Sequence, residues 1–346
     1  MKTLTYAYSR ARSAGFFAEF MVLETLTRLF PGEKKLREAR TALPDVKTLQ
    51  SIRADLLELL KQDAQNISHG EYPLSVLMPE SPIQHLKRLP LLFWDSFSIY
   101  LRRRKGKTQD FDREAEEFLA DLPPYYRRNF HYQSNGYLSR RSAEVYEHQV
   151  ELLFKGSADA MRRLIIPPLR KKFATSPDGE GLRFLEIAAG TGRATRFVHQ
   201  AFPKAKITAL DLSDPYLKVA QENLSRFPRV DFIQGNAAQL PFRDQQFDAV
   251  YSVFLFHELP MEERQQIIKE SRRVLKDDGL LGMVDSIQEG DKELFTPLLK
   301  NFPKDFHEPF YRNYIAHPME ELFKQAGFKN VAKDTGFTSK VVTGLH

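Results

Sequence analysis

Apolar residues follow two regimes along the chain. Up to about residue 122 they recur at helical spacing; from Arg183 onward they come in short unbroken runs between polar turns. In the first regime Phe16, Phe17, Phe20, Met21, Leu23 and Leu26 share a helical face that Pro31-Gly32 stops. Residues 46–64 predict a second amphipathic helix, with Leu49, Ile52, Leu56, Leu57, Leu59 and Leu60 on its apolar side. Pro73, Pro79 and Pro82 mark an irregular link, 89–101 is the most apolar piece, and 110–121 is an acidic helix. Pro123-Pro124 reads as a boundary.

In the second regime the runs 184–187, 207–210, 231–237, 247–252 and 280–285 predict strands buried on both faces. Helical patterns at 194–201 and 262–275 separate some of them, the latter stopped by Asp277-Asp278-Gly279. Helices at 143–154 and 158–173 lead in, the second broken by Pro167-Pro168. A helix over 319–326 capped by Gly327 and strands at 328–333 and 337–342 close the chain. The alternation predicts an α/β fold whose ligand lies at the carboxyl ends of the strands. Between the first strand and its helix stands Ala188-Ala189-Gly190-Thr191-Gly192-Arg193, a turn of small residues. Alone it also reads as a plain tight turn, and Thr195 stands where a dinucleotide fingerprint has its third glycine.

The ordered set settles more than the turn does. Glu186-Ile187-Ala188-Ala189-Gly190-Thr191-Gly192, Leu210-Asp211-Leu212-Ser213, Gly235-Asn236-Ala237-Ala238-Gln239-Leu240-Pro241-Phe242, Phe247-Asp248 and Arg272-Arg273-Val274-Leu275-Lys276 before Gly279 resemble the class I S-adenosylmethionine-dependent methyltransferases. The branch they resemble acts on quinones and other small molecules, as in ubiquinone and menaquinone biosynthesis. The resemblance spans about 183–285 and weakens toward the C-terminus. It implies a Rossmann-like seven-stranded α/β fold preceded by a helical N-terminal domain. The expected division is 1–124 helical, then 125–346 catalytic, with lid and lead-in at 125–181, cofactor core at 182–285 and substrate cap at 286–318.

The resemblance also implies the cofactor contacts. Glu186, Gly190 and Gly192 match the motif over which the methionine part of S-adenosylmethionine lies, Asp211 matches the acid that accepts both ribose hydroxyls, and Leu212 matches the apolar neighbour of adenine. Asn236 and Ala237 match the pair reading the adenine edge, by a side-chain and a backbone contact. Two residues depart from the family's pattern. Asn236 replaces the usual Asp, though its carbonyl still accepts from an amine, and Ala188 replaces the usual Gly, which points to a slightly wider turn. S-adenosylhomocysteine would be the product.

Composition changes this picture little. A net charge of +6 on 346 residues is mild and interspersed, and the absence of cysteine removes disulfides, thiolate metal sites and cysteine nucleophiles. Nothing resembles a signal peptide or a membrane span, so a cytoplasmic protein is the expectation. Basic residues flank the apolar run within 87–107. They read first as complements of a helix dipole, with peripheral contact to anionic lipid as the second reading. The apolar stripes of the helical half read as core or as a homodimer face.

Candidate chemistry gathers in three places. The aromatic segment 125–139 suits a lid, with Tyr132, Gln133 and Tyr137 as cofactor candidates. His257 follows the fourth strand and is the first candidate general base, against a reading in which His257 and Glu258 cap the next helix. In the cap, His307 and Glu308 form a second catalytic pair, and Phe254, Glu258, Tyr311 and Tyr314 are substrate candidates. No acidic cluster has the spacing of a metal site, so none is expected. A small organic acceptor methylated by in-line displacement is the leading reading. A nucleic-acid or protein methyltransferase is opposed by Ser252-Val253-Phe254-Leu255, where amino-group methylases carry an Asn/Asp-Pro-Pro-aromatic motif, and by the mild charge. A non-catalytic cofactor-binding scaffold is opposed by the intact motifs.

Overall fold

The computed structural model describes residues 1–27, 45–78 and 82–346. Seven strands form one sheet: β1 Arg183–Ile187, β2 Lys206–Asp211, β3 Val230–Gln234, β4 Phe247–Val253, β5 Leu275–Ser286, β6 Lys329–Gly336 and β7 Ser339–Leu345. Their order is β3-β2-β1-β4-β5-β7-β6. The first five are parallel, and β7 enters antiparallel between β5 and β6. The unbroken apolar runs lie on the central strands, buried on both faces, while the edge strands β3 and β6 alternate with exposed positions. Strand order reverses between β1 and β4, which opens a crevice at their carboxyl ends.

Several boundaries differ from expectation. The helix Met261–Val274 passes directly into β5, and the acidic stop is a bulge within that strand. Phe247 pairs with Leu275 but Ala249 with Leu280, so Lys276–Gly279 loop out of register, Asp278 at φ 60°. Pro167 and Pro168 do not break a helix either. A 3₁₀ turn, Arg163–Ile165, separates Ala158–Arg162 from Ile166–Lys172, and the prolines occupy the first turn of the latter, where their missing N–H groups cost nothing.

The helical half comprises α1 Lys2–Thr27, α2 Val46–Ser68, α3 Pro82–Lys105 and α4 Arg113–Leu119. Pro82, expected in a link, opens α3, while Pro31-Gly32 and Pro79 lie outside the described residues. The division expected at Pro123-Pro124 does not separate two cores. One continuous cluster joins Leu59, Leu60, Ile67, Tyr72 and Val76 to Ile165, Phe197, Tyr251 and Val341 of the sheet layer. Across that junction Arg163 donates twice to Asp63, Nε to Oδ1 at 2.8 Å and Nη2 to Oδ2 at 2.7 Å, and the Tyr72 hydroxyl donates to the same carboxylate. Of the α1 stripe, Phe16, Phe20 and Leu23 pack inward while Phe17, Met21 and Leu26 stay exposed. Among the described residues no helix is long and apolar enough to cross a membrane.

The basic-flanked segment turns part of its polarity inward. Asp95 is buried and accepts from Ser134 Oγ and Gln149 Nε2, and Arg102 donates to the Tyr132 carbonyl and to Ser134 Oγ. Both thereby hold the segment 125–139, which lies over the crevice. That segment is stitched by its own backbone contacts as well: the Asn129 side chain accepts from the Asp110 amide and donates to the Asp110 and Gln133 carbonyls. His131, Tyr132 and Asn135 take left-handed φ values of 55°, 57° and 61°. Gly136 is required, since a Cβ there would stand 2.4 Å from the Arg128 carbonyl oxygen.

Candidate active site

The crevice holds about 950 Å³ of atom-free space, its open mouth included, at the ends of β1, β2 and β4. Its floor is the small-residue turn. Ala188 and Gly190 line it at φ 56° each, so the alanine keeps the left-handed backbone of a glycine instead of widening the turn. Gly192, at φ 78°, does not face the cavity: it caps the helix Arg193–Ala201, and a Cβ on it would meet Leu224 Cδ1 at 2.6 Å. Its role is close packing under the turn.

Asp211 ends β2 inside the cavity. Its Oδ2 accepts the Gly190 amide at 2.7 Å and its Oδ1 the Ser213 amide at 2.8 Å. Burial pushes this carboxyl up to about 6, against the lowering effect of the two amides. Glu186 is buried beside it, accepting from Thr195 Oγ1 and from the Tyr251 hydroxyl, and burial raises it to about 8, so at neutral pH it is mostly the neutral acid. Leu212, Asn236 and Ala237 line the other side of Asp211. Asn236 Oδ1 already accepts the Ala238 amide at 2.9 Å, which leaves the side chain one further lone pair and its NH₂ for a ligand.

Charged groups that the sequence reading missed stand at the opposite end. Arg162 and Glu147 both line the cavity, paired at 2.8 Å, and Thr191 Oγ1 donates to the other Glu147 oxygen at 2.5 Å. Arg193 is held by Asp159 through two bonds. Arg162 sits in an apolar run, Met161-Arg162-Arg163-Leu164, and that buried-charge context was the available signal.

Aromatic rings form the wall: Tyr125, Tyr126, Phe130, Tyr137, Tyr146 and Tyr216 all line the cavity. Phe130 and Tyr137 stack at 5.5 Å, and Tyr216 stands edge-on to Tyr137. Of the three lid candidates only Tyr137 reaches the cavity. Tyr132 lays its ring on His307 at 5.1 Å, and Gln133 is buried behind the wall, bonded to Ser142 and Gln149.

The region around the β4 end of the cavity gathers residues from three elements. His257, in the turn Phe256–Glu258, meets Asp285 Oδ1 through Nδ1 at 2.6 Å. Burial alone would depress this imidazole, but Asp285 outweighs it and lifts the group to about 9. The neutral base expected of His257 is therefore an imidazolium at pH 7, boxed by Tyr311 and Tyr314 and outside the cavity lining. Those two tyrosines bond through their hydroxyls to Ser286 and also face away from the cavity. Phe254 (φ 60°) and Glu258 do line it. Glu258 accepts a short bond from the Tyr137 hydroxyl, and its Oε1 lies 3.2 Å from His131 Nε2. The other nitrogen of His131 lies 2.9 Å from Glu308 Oε1. Burial would lower His131, yet Glu308 and Glu258 together raise it to about 10. His307 belongs elsewhere, at φ 46° and packed on Tyr132, with burial and then Arg128 lowering its imidazole. No metal-ligand grouping was expected, but the fold brings His131, Glu258 and Glu308 within metal-ligand reach of one another.

A family model described as a methyltransferase domain matches residues 184–279. An uncharacterized methyltransferase of Synechocystis sp. is 32% identical over 163 residues, covering 47% of this chain and 73% of that protein. A demethylmenaquinone methyltransferase of Thermotoga maritima is 28% identical over 207 residues, covering 55% of this chain and 85% of its own length. Among solved structures, a SAM-dependent methyltransferase from Aquifex aeolicus is 20% identical with a TM-score of 0.39, over 54% of this chain and 97% of that one.

Proposed function

The chain belongs to the class I S-adenosylmethionine-dependent methyltransferases, and from that premise we propose that its acceptor is a small aromatic or quinone-like molecule. S-adenosylmethionine is the cofactor, and it supplies an electrophilic methyl group on a sulfonium centre. The residues present fit it. Asp211 offers a buried carboxylate for paired hydroxyls, and Leu212, Asn236 and Ala237 offer an apolar face with amide partners for adenine. Arg162 and Glu147 offer opposite charges to an amino-acid end. The rings of Tyr126, Tyr137, Tyr146 and Tyr216 suit a cation.

The observation that carries the acceptor class is the aromatic wall over a cavity under a stitched lid, which favours a flat apolar molecule over a polymer. That relatives are named demethylmenaquinone methyltransferases supports the same class. Rings that fix the acceptor's plane align its nucleophilic atom with the methyl group, and such alignment contributes on the order of 7–11 kcal/mol. Glu258, which lines the cavity beside Phe254 and Leu255, takes the acceptor's proton, and His257 stays protonated beside it. The test is a screen with methyl-labelled S-adenosylmethionine against reduced quinones, catechols, tRNA and histone. Label transfer to quinols or catechols is the expected result. Transfer to tRNA or histone alone would overturn the proposed acceptor class.

A further inference from the structure

We propose that His131, Glu258 and Glu308 form a binding site for one divalent transition-metal cation at the acceptor end of the cavity. The three come from the lid, the turn after β4 and the cap, so an ion there would tie all three elements together.

Glu308 carries the inference. It is 1% exposed; its Oε1 meets His131 Nδ1 at 2.9 Å, and its Oε2 has no partner among the described residues. A buried carboxylate with one oxygen left bare is costly, and proteins keep such groups where an ion or ligand completes them. Among the described residues the cationic side chain against it is His131, which also faces Glu258. One imidazole nitrogen and one oxygen from each glutamate all lie within 4.8 Å of one another. Glu308 now faces Nδ1 and Glu258 faces Nε2, so ligation at about 2.0–2.2 Å requires the imidazole to give up its proton and one glutamate to swing toward the ligating nitrogen.

Charge and ligand type agree. Two carboxylates and a neutral imidazole leave two negative charges, which one divalent cation balances. A mixed nitrogen and oxygen set suits Zn²⁺ or Mn²⁺ rather than Ca²⁺. The Tyr137 hydroxyl bonded to Glu258 would orient that ligand from behind. His131 holds a left-handed backbone, φ 55°, in the lid, a strained conformation of the kind that functional ligands retain. A second grouping, Glu19 with His85 and His148, is the weaker candidate: one Glu19 oxygen already meets His148 at 2.6 Å and the other lies 3.4 Å from His85. With three protein ligands the ion keeps an open position toward the cavity, where it would bind an acceptor oxygen and make its hydroxyl more acidic. That use rests on the methyl-transfer reading; the site itself does not.

The test is isothermal titration of the chelator-treated full chain with Zn²⁺ and Mn²⁺, without cofactor or acceptor, beside elemental analysis of the protein as purified. About one equivalent per chain is expected, weakened roughly tenfold or more in Glu308→Gln and in His131→Gln but unchanged in His148→Gln. Binding of S-adenosylhomocysteine, measured in parallel, reports that each variant is folded. No binding by the wild type, or binding unaffected by both ligand variants, would overturn the site, and so would binding lost only in His148→Gln. Failure of S-adenosylhomocysteine to bind the wild type would instead count against the cofactor reading and leave the metal result standing.

Discussion

The Gly190 amide donates to Asp211 Oδ2 at 2.7 Å, which ties the glycine turn after β1 to the acid at the end of β2. The same bond aims the carboxylate into the cavity. Its buried position raises the acid to about 6, so the charged form that best accepts ribose hydroxyls is lost as pH falls through that value. Affinity for S-adenosylmethionine should therefore decline from pH 7 to pH 5 in calorimetric titrations. Asp211→Asn should weaken binding by about 10–100-fold at pH 7, the worth of a charge-assisted hydrogen bond, and flatten the pH dependence. An unchanged pH profile in that variant would count against the role of Asp211.

The His257–Asp285 pair makes a prediction about stability. His257 rises from 6.5 to about 9 in the folded protein, so its stabilising contribution is complete below pH 6.5 and is lost as pH rises through 9. The full effect is about 3 kcal/mol by linkage. Denaturant melts of wild type and Asp285→Asn should differ most near pH 6 and converge by pH 10. A gap that stays constant with pH would assign Asp285 to the Phe256 and Ser286 amides alone.

Ala188 pays for a backbone that glycine adopts freely. Ala188→Gly should stabilise the fold by up to about 1 kcal/mol, since relief of the left-handed strain exceeds the added freedom of the unfolded chain. A lower denaturation midpoint in the variant would refute this.

Asp63 and Arg163 are a buried pair across the junction of the helical half and the sheet layer, 1% and 4% exposed at the side chain. Asp63→Ala leaves a guanidinium without its partner and should cost about 3–5 kcal/mol, whereas Asp63→Leu combined with Arg163→Met should cost less. Equal losses in the two proteins would mean that the pair acts through packing.

The sheet was legible because parallel strands buried on both faces leave unbroken apolar runs, and the resemblance pointed to Asp211, Leu212 and Ala237, which line the cavity. The acceptor end was not legible. His131 and Glu258 meet from 127 residues apart, and no local pattern announces that contact. Tyr132 and Gln133 misled for a related reason: in a segment with left-handed backbone at His131, Tyr132, Asn135 and Gly136, sequence order does not say which side chain faces the cavity. His257 was found by position, but its protonation depends on Asp285, which read as the end of a strand. The cluster shared across the junction was hidden too, since an amphipathic helix such as α2 shows that it is covered without showing by what.

Arg102 lines no part of the cavity, yet it holds the lid through the Tyr132 carbonyl and Ser134. The residue that fixes the cavity's aromatic cover is thus supplied from the helical half, so the two halves of the chain share the shaping of one site.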